Sequence, residues 1–337
     1  HRQHQFESQS QIESQNQRQS QRQSQRQSQR QKPKQGKTET SDDDGNAEDV
    51  HFQEVVKSFL AYEEHLAPEL RRRHEHLAKL SDAKLGLIGG RAYVEERNAK
   101  LQGATRANAE FLESAVVGQH VDADTDYARV KVLNRNMDKV KSILSQCVRE
   151  WGRDGDTERR QCFGHILDQL RKYLPINDHN LNNQRVLIPG SGLGRLVYDV
   201  AVAGYYAEGI EFSYQCLILG DFIMNRSTRP WTIYPWIHAS SNAKSLQGML
   251  ASAEIPSFDI VEHLQNINPG AQMCIRAGEF LREYEKRLDE HGMWDCIVTC
   301  FFLDTAPDIF EYMNIIYRLL RPTKGLWIHF GPLEYHW

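Results

Sequence analysis

Gly190, Gly192 and Gly194 close the run Val186-Leu187-Ile188-Pro189-Gly190-Ser191-Gly192-Leu193-Gly194. Glycine has no Cβ and tolerates positive φ, so such a turn brings backbone N–H groups close to a ligand. If a helix opens there, its free N–H groups offer a place for an anionic group. The spacing Gly-x-Gly-x-Gly differs from the dinucleotide fingerprint Gly-x-Gly-x-x-Gly, because Arg195 stands where the third dinucleotide glycine would be. Glu211 follows at about the interval where a carboxylate can accept hydrogen bonds from both ribose hydroxyls. A nicotinamide enzyme would place an acid there too, and a capping or solvent-facing carboxylate is the plainer alternative. The six cysteines, Cys147, Cys162, Cys216, Cys274, Cys296 and Cys300, form no pair at zinc-ribbon spacing. They read as reduced, mostly buried thiols. Trp231, Tyr234, Trp236 and His238 cluster as packing rather than chemistry, with no metal-ligand spacing, and no metal is expected.

These residues need elements to position them. The chain has 337 residues and is 40% hydrophobic, enough for a real core, and its net charge of -4 gives no reason to expect nucleic acid or an anionic membrane as partner. No apolar run approaches the roughly 18–20 residues that span a bilayer. No charged-then-apolar leader is present, so the cytoplasm, with the nucleus as an option, is the expected location. Residues 1–46, with a Gln-Arg-Gln-Ser repeat and almost no apolar side chains, read as a disordered tail. Residues 47–178 read as a helical region. Phe52, Val55, Val56, Phe59 and Leu60 recur at helical spacing, Pro68 interrupts, and Leu70, Leu77 and Leu80 mark a second helix. A less regular stretch containing Gly86, Gly89 and Gly90 runs to about Asp126. Val130 to Trp151 then carry a long apolar stripe, and Phe163 to Leu174 a further helix.

From residue 179 to 337 strand and helix alternate. Strands are expected at Arg185–Pro189, Tyr205–Glu211, Met273–Ala277, Asp295–Phe302 and Leu326–Phe330, and helices at Leu193–Ala203, from Ser213 towards Met224, and at Asp308–Leu320. This alternation predicts an α/β fold with a doubly wound, mostly parallel sheet.

The glycine turn is similar to the first motif of class I methyltransferases. The chain as a whole resembles the carnosine N-methyltransferase family, also described as N2227-like. The resemblance rests on Val186 to Leu196, Tyr234-Pro235-Trp236-Ile237-His238, Trp294-Asp295-Cys296-Ile297 and Thr299-Cys300-Phe301-Phe302-Leu303-Asp304-Thr305-Ala306. It continues through Gly331-Pro332-Leu333-Glu334-Tyr335-His336, and upstream through Gln146-Cys147-Val148-Arg149-Glu150-Trp151 and the helix around His51 to Phe59. It implies a Rossmann-like methyltransferase sheet with S-adenosyl-L-methionine as cofactor, and methylation of an imidazole nitrogen of carnosine, giving anserine, or of related histidine-containing dipeptides.

By the same resemblance, Gln146, Arg149, Gly190, Gly192, Gly194, Glu211, Glu279, Phe280 and Cys300 would hold the cofactor. Asp304 and His336 would hold the substrate and carry the catalysis. Glu279 stands where family members usually carry Asp, and Ile210-Glu211-Phe212-Ser213 where they read Asn-Glu-Trp-Ser. Without the family, Asp304 reads as a helix N-cap, His336 as a buried histidine, and Gln146 and Arg149 as the solvated face of a helix. The family continues beyond the fifth strand with further strands and substrate-facing tyrosines. The chain, which starts at His1 and stops at Trp337, is therefore expected to be incomplete, with C-terminal strands missing. The alternatives are a protein- or peptide-histidine N-methyltransferase, a truncated cofactor-binding protein without activity, and, least favoured by the turn spacing, a nicotinamide oxidoreductase. A small dipeptide is the expected partner, histidine-containing peptides are a second option, and a homodimer is one option for assembly.

Overall fold

The structure is a computed structural model that describes residues 41–118, 120–121, 125–238, 245–257 and 259–332, with no side-chain description for 41–46 and 288. Two compact units are distinguished, 1–49 and 50–337. Of the first, only the start of helix α1 (Ser41–Leu60) is described, so this helix takes in the last six residues assigned to the tail. The expectation of disorder for residues 1–40, and the role given to His336, lie outside the described residues.

In the second unit the helical region comprises the rest of α1, α2 (Tyr62–Ala78), α3 (Gly90–Val116), α4 (Asn134–Glu150) and α5 (His165–Tyr173). The break between the first two helices falls at Ala61. Pro68 lies inside α2 on its exposed side, where the carbonyl that loses its partner, that of exposed Glu64, faces water. The stretch read as irregular holds α3, of 27 residues. Its buried face includes Ala104, Thr105, Asn108 and Ala109, residues too small or too polar to register as an apolar stripe. On α4, by contrast, Met137, Val140, Leu144, Cys147 and Val148 are buried at helical spacing.

The α/β part follows in the order β1 (Arg185–Pro189), α6 (Arg195–Val202), β2 (Tyr206–Glu211), α7 (Tyr214–Asp221), β3 (Trp231–Ile233), β4 (Ala253–Ile255), α8 (Ile260–Ile267), β5 (Gln272–Ala277), α9 (Phe280–Lys286), β6 (Cys296–Cys300), α10 (Ile309–Leu319) and β7 (Leu326–Phe330). The expected strands are all present within one or two residues. Ser213 sits at the N-cap position of α7 without capping through its side chain. The three-residue pair β3 and β4, an antiparallel ribbon joining Trp231 to Ile255, is too short to show a period and was not expected.

The main sheet is parallel throughout, in the order β5-β2-β1-β6-β7. Successive strand residues face opposite sides. Val186 and Ile188 of β1 and Cys296 and Val298 of β6 join a core built with α4, α6 and the other helices, while Leu187 and Ile297 join the core under α9 and α10. β1 and β6 are covered on both faces and read as near-continuous apolar runs, while the edge strands β5 and β7 are only partly buried. The strand order reverses between β1 and β6. In sheets of this kind the ligand crevice lies outside the carboxyl ends of the strands at that reversal.

Candidate functional site

The chain leaves β1 at Pro189 and turns through Gly190, Gly192 and Gly194, with φ of +66°, +57° and +83°, before α6 begins. Gly190 and Ser191 donate to the Ile210 carbonyl at 2.9 and 3.1 Å, which pins the turn to the end of β2. A Cβ on Gly190 would lie 2.5 Å from Phe302 Cδ2. One on Gly192 would lie 2.7 Å from both Gln146 Nε2 and Glu150 Oε1. The expected glycines are thus required by close packing as well as by backbone conformation. Gly194 caps α6 in the left-handed conformation.

The last turn of α4 closes over this loop. Glu150, buried, accepts through Oε2 from Leu193 N at 3.1 Å and Arg195 N at 3.4 Å, and through Oε1 from Gln146 Nε2 at 2.8 Å. Trp151 Nε1 donates to the Leu193 carbonyl at 3.1 Å, and the Arg195 guanidinium lies over the Trp151 ring. A carboxylate at a helix N-terminus is the intramolecular equivalent of a bound anion. The N–H groups that would hold a pyrophosphate in a dinucleotide site are therefore already taken. Burial pushes the Glu150 carboxyl up to about 7, against the opposing pull of its hydrogen bonds and of Arg149.

Between α4, the turn and the end of β6 lies a cavity of about 350 Å³. Gln146, Arg149, Gly190, Gly192 and Cys300 line it, together with Glu150, Ser191 and Phe301. Five expected cofactor residues from three separate segments are brought together there. Burial raises the Cys300 thiol to about 12, so it is a neutral wall of the cavity. Gly192 also lines a larger cavity of about 900 Å³ that runs along the edge strand β5 past Cys216, Ile275 and Ala277.

Glu211 ends β2 where expected. Its Oε2 accepts from Gly192 N at 2.9 Å, and its Oε1 accepts from Phe212 N and Ser213 N at 3.0 and 2.8 Å. Burial raises its carboxyl above the usual range, and these three N–H groups oppose the rise. Glu279 is exposed at the start of α9. Phe280 is buried, with its ring 5.5 Å from that of Phe302 and 5.4 Å from that of Tyr312, and of the expected cofactor residues, Gly194, Glu211, Glu279 and Phe280 line neither cavity. Asp304 lies in a short turn, Leu303–Thr305, just after the cavity-lining Cys300 and Phe301. It caps no helix: the N-cap of α10 is Asp308, whose Oδ1 accepts from Phe310 N at 2.8 Å. Asp304 Oδ1 is buried without a hydrogen-bond partner, an acceptor left open.

Two residues at the site were not expected. Glu150 stood inside a recognised block, but a glutamate near the end of an amphipathic helix reads as solvated. Phe301 adopts φ +49° at the carboxyl end of β6, held by its N–H on the Phe330 carbonyl at 2.8 Å. Nothing local in the sequence marks that conformation. The aromatic cluster is packing only in part, since Trp236 is exposed. Trp231 is buried against Phe111 and Phe222, and His238 Nε2 meets Tyr62 Oη at 2.6 Å. All six cysteines are free.

A family model described as carnosine N-methyltransferase matches residues 127–337. The carnosine N-methyltransferases of Rattus norvegicus and Mus musculus are each 32% identical over 306 residues, covering 88% of this chain and 74% of their own. Among solved structures, an arsenic (III) S-adenosylmethionine methyltransferase from Chlamydomonas reinhardtii aligns over 50% of this chain and 46% of its own, at 16% identity and a TM-score of 0.27.

Proposed function

The chain belongs to the carnosine N-methyltransferase family, and from that premise we propose that it moves a methyl group from S-adenosylmethionine to an imidazole nitrogen of carnosine, giving anserine. The observation that carries this reading is the cavity at the strand reversal, lined by Gln146, Arg149, Gly190, Gly192 and Cys300. The residues fit the cofactor. The glycine turn leaves a cradle that a Cβ would fill, and Ser191 Oγ is buried beside it without a partner. Gln146, Arg149 and the turn would hold the methionine part, and Glu211 the ribose, through the lone pairs its three N–H donors leave free. When bound, S-adenosylmethionine supplies an electrophilic methyl carbon on a cationic sulfur.

The protein's task is alignment. A neutral imidazole, with a reference pKa near 6.5, is already a nucleophile near neutral pH, so no strong base is needed to begin. Asp304 supports the choice of tautomer. Its open Oδ1 would accept the N–H of the non-reacting ring nitrogen, which leaves the lone pair on the other nitrogen. The same carboxylate then faces the ring as positive charge develops on it. His336 is assigned to the dipeptide on the family resemblance alone.

Asp304→Ala tests this assignment. Carnosine turnover, kcat/KM, should fall by about a hundredfold or more, while S-adenosylmethionine affinity measured by calorimetry stays near that of the parent. Near-normal methyl transfer would remove Asp304 from the mechanism. Preferential turnover of a histidine-containing peptide would shift the acceptor class, and cofactor binding with no turnover of any imidazole would leave a binding protein.

A further inference from the structure

Glu150 is the buried acid that the methyl-transfer reading leaves without a role. It lines the cavity, and its Oε1 stands 2.7 Å from where a Gly192 Cβ would be. Glu211 Oε2 accepts from the Gly192 N–H at 2.9 Å. The turn is therefore flanked by two buried carboxylates. Two arginines share the lining, but each is engaged: Arg149 Nε lies 4.0 Å from Glu158, a third carboxylate of the same cavity, while Arg159 Nη1 donates to the Arg149 and Gly152 carbonyls and its Nη2 lies 3.8 Å from Asp156. A ligand group beside the turn thus meets the buried Glu150 and Glu211 carboxylates first, and a charge pair with a buried group counts for several times its value in water.

We propose that Glu150 is the charge-selecting residue of the cofactor site, favouring the cationic sulfonium donor over the neutral thioether that methyl transfer leaves behind. Donor and product share every other group, so charge is the main property by which the site can prefer one and release the other. The inference rests on S-adenosylmethionine being the ligand. It assigns Glu150 a second task besides holding the start of α6, and it predicts weak product inhibition.

The charged and titratable groups around the Glu150 carboxyl are Arg149 and Cys147 on its own helix, Glu158 and Arg159 in the segment that follows, Arg195 on α6, whose Nη1 donates to the Glu150 carbonyl, Cys216 on α7 and Cys300 on β6. With a carboxyl that titrates at about 7 in the free protein, a cationic ligand draws its proton off and a neutral one does not. The preference for the cation should therefore strengthen as pH rises through neutrality.

The test is calorimetric binding to the full chain of three probes: S-adenosylmethionine, S-adenosylhomocysteine, and sinefungin, which carries an amine cation in place of the sulfonium. The parent protein should bind both cations about tenfold or more tighter than S-adenosylhomocysteine. Glu150→Gln should erase most of that ratio through the cations, leaving the neutral ligand within about twofold, and Glu150→Asp should restore part of it. An unchanged ratio in Glu150→Gln, or equal weakening of all three ligands, overturns the proposal, since a purely structural clamp would act on all alike. A second measurement needs no variant. In the parent protein the ratio of the S-adenosylmethionine to S-adenosylhomocysteine affinities should rise severalfold between about pH 6 and 7.5, and a flat ratio overturns the proposal equally. A parent protein that binds none of the probes would instead bring down the cofactor reading itself.

Discussion

Gly192 has no room for a side chain. A methyl there would meet an amide nitrogen and a carboxylate oxygen at 2.7 Å, in a backbone conformation with φ of +57° that costs an alanine about 1–2 kcal/mol. Gly192→Ala should weaken S-adenosylmethionine binding by more than about tenfold, because Gln146 and Glu150 must swing away from the turn to admit the methyl, and should lower unfolding free energy by that strain plus about 1–3 kcal/mol for the Glu150 bonds to the Leu193 and Arg195 N–H groups. Calorimetry and urea unfolding on the same variant separate the two effects. Unaltered affinity would mean that the turn does not contact the ligand. The glycines were legible because their chemistry is local: type, spacing and the preceding apolar run all lie within nine residues. Glu150 was not, because its burial is made by the start of α6, more than forty residues away, docking on the end of α4.

Among elements, β5 shows how much depends on one pair. Glu208 on β2 is wholly buried, and its countercharge is Arg276 on the edge strand, which bonds both carboxylate oxygens. Tyr206 and Tyr284 donate to the same carboxylate, each at 3.2 Å. Arg276→Met should cost about 3 kcal/mol in urea unfolding by leaving a buried charge unpaired, and adding Glu208→Gln should recover most of the loss. A loss below about 1 kcal/mol in the single variant would show that the two tyrosines suffice. The same contrast governs what the sequence disclosed. β1 and β6, buried on both faces, are near-continuous apolar runs, and the other three sheet strands, though less apolar, stand in the same alternation with helices and turns, so all five were placed within one or two residues. The long α3 escaped because the middle of its inner face, between Leu101 and the buried Phe111, Leu112 and Val116, is Ala104, Thr105, Asn108 and Ala109, and Asn108 is spent on bonds to Tyr62 and to the Tyr234 backbone. Partners 46 and 126 residues distant leave no periodic trace in α3 itself.

At the scale of the whole molecule, two buried groups pull stability in opposite directions with pH. Burial lowers His238 to about 4, below its ordinary value of 6.5. Tyr62, which accepts from Asn108, can donate its own proton to His238 Nε2 and so keep the ring neutral. The unfolded chain therefore binds this proton more readily, and the His238 contribution is lost as pH falls from about 6.5 towards 4. Glu150 has the opposite sign. Its carboxyl is raised from 4.5 to about 7, so the folded state binds the extra proton, and that contribution is lost as pH rises through 4.5 towards 7. Between about pH 4.5 and 6.5 the two slopes, each near 1.4 kcal/mol per pH unit, offset one another. Relative to the parent, Glu150→Gln should therefore lose stability more steeply on acidification across this window, and His238→Gln less steeply. The double variant should track the parent again. Urea unfolding at several pH values measures all four proteins, and parallel profiles for the parent and Glu150→Gln would mean that Glu150 ionises normally. In that case the site would carry its negative charge at every physiological pH, and any preference for the sulfonium would no longer depend on pH.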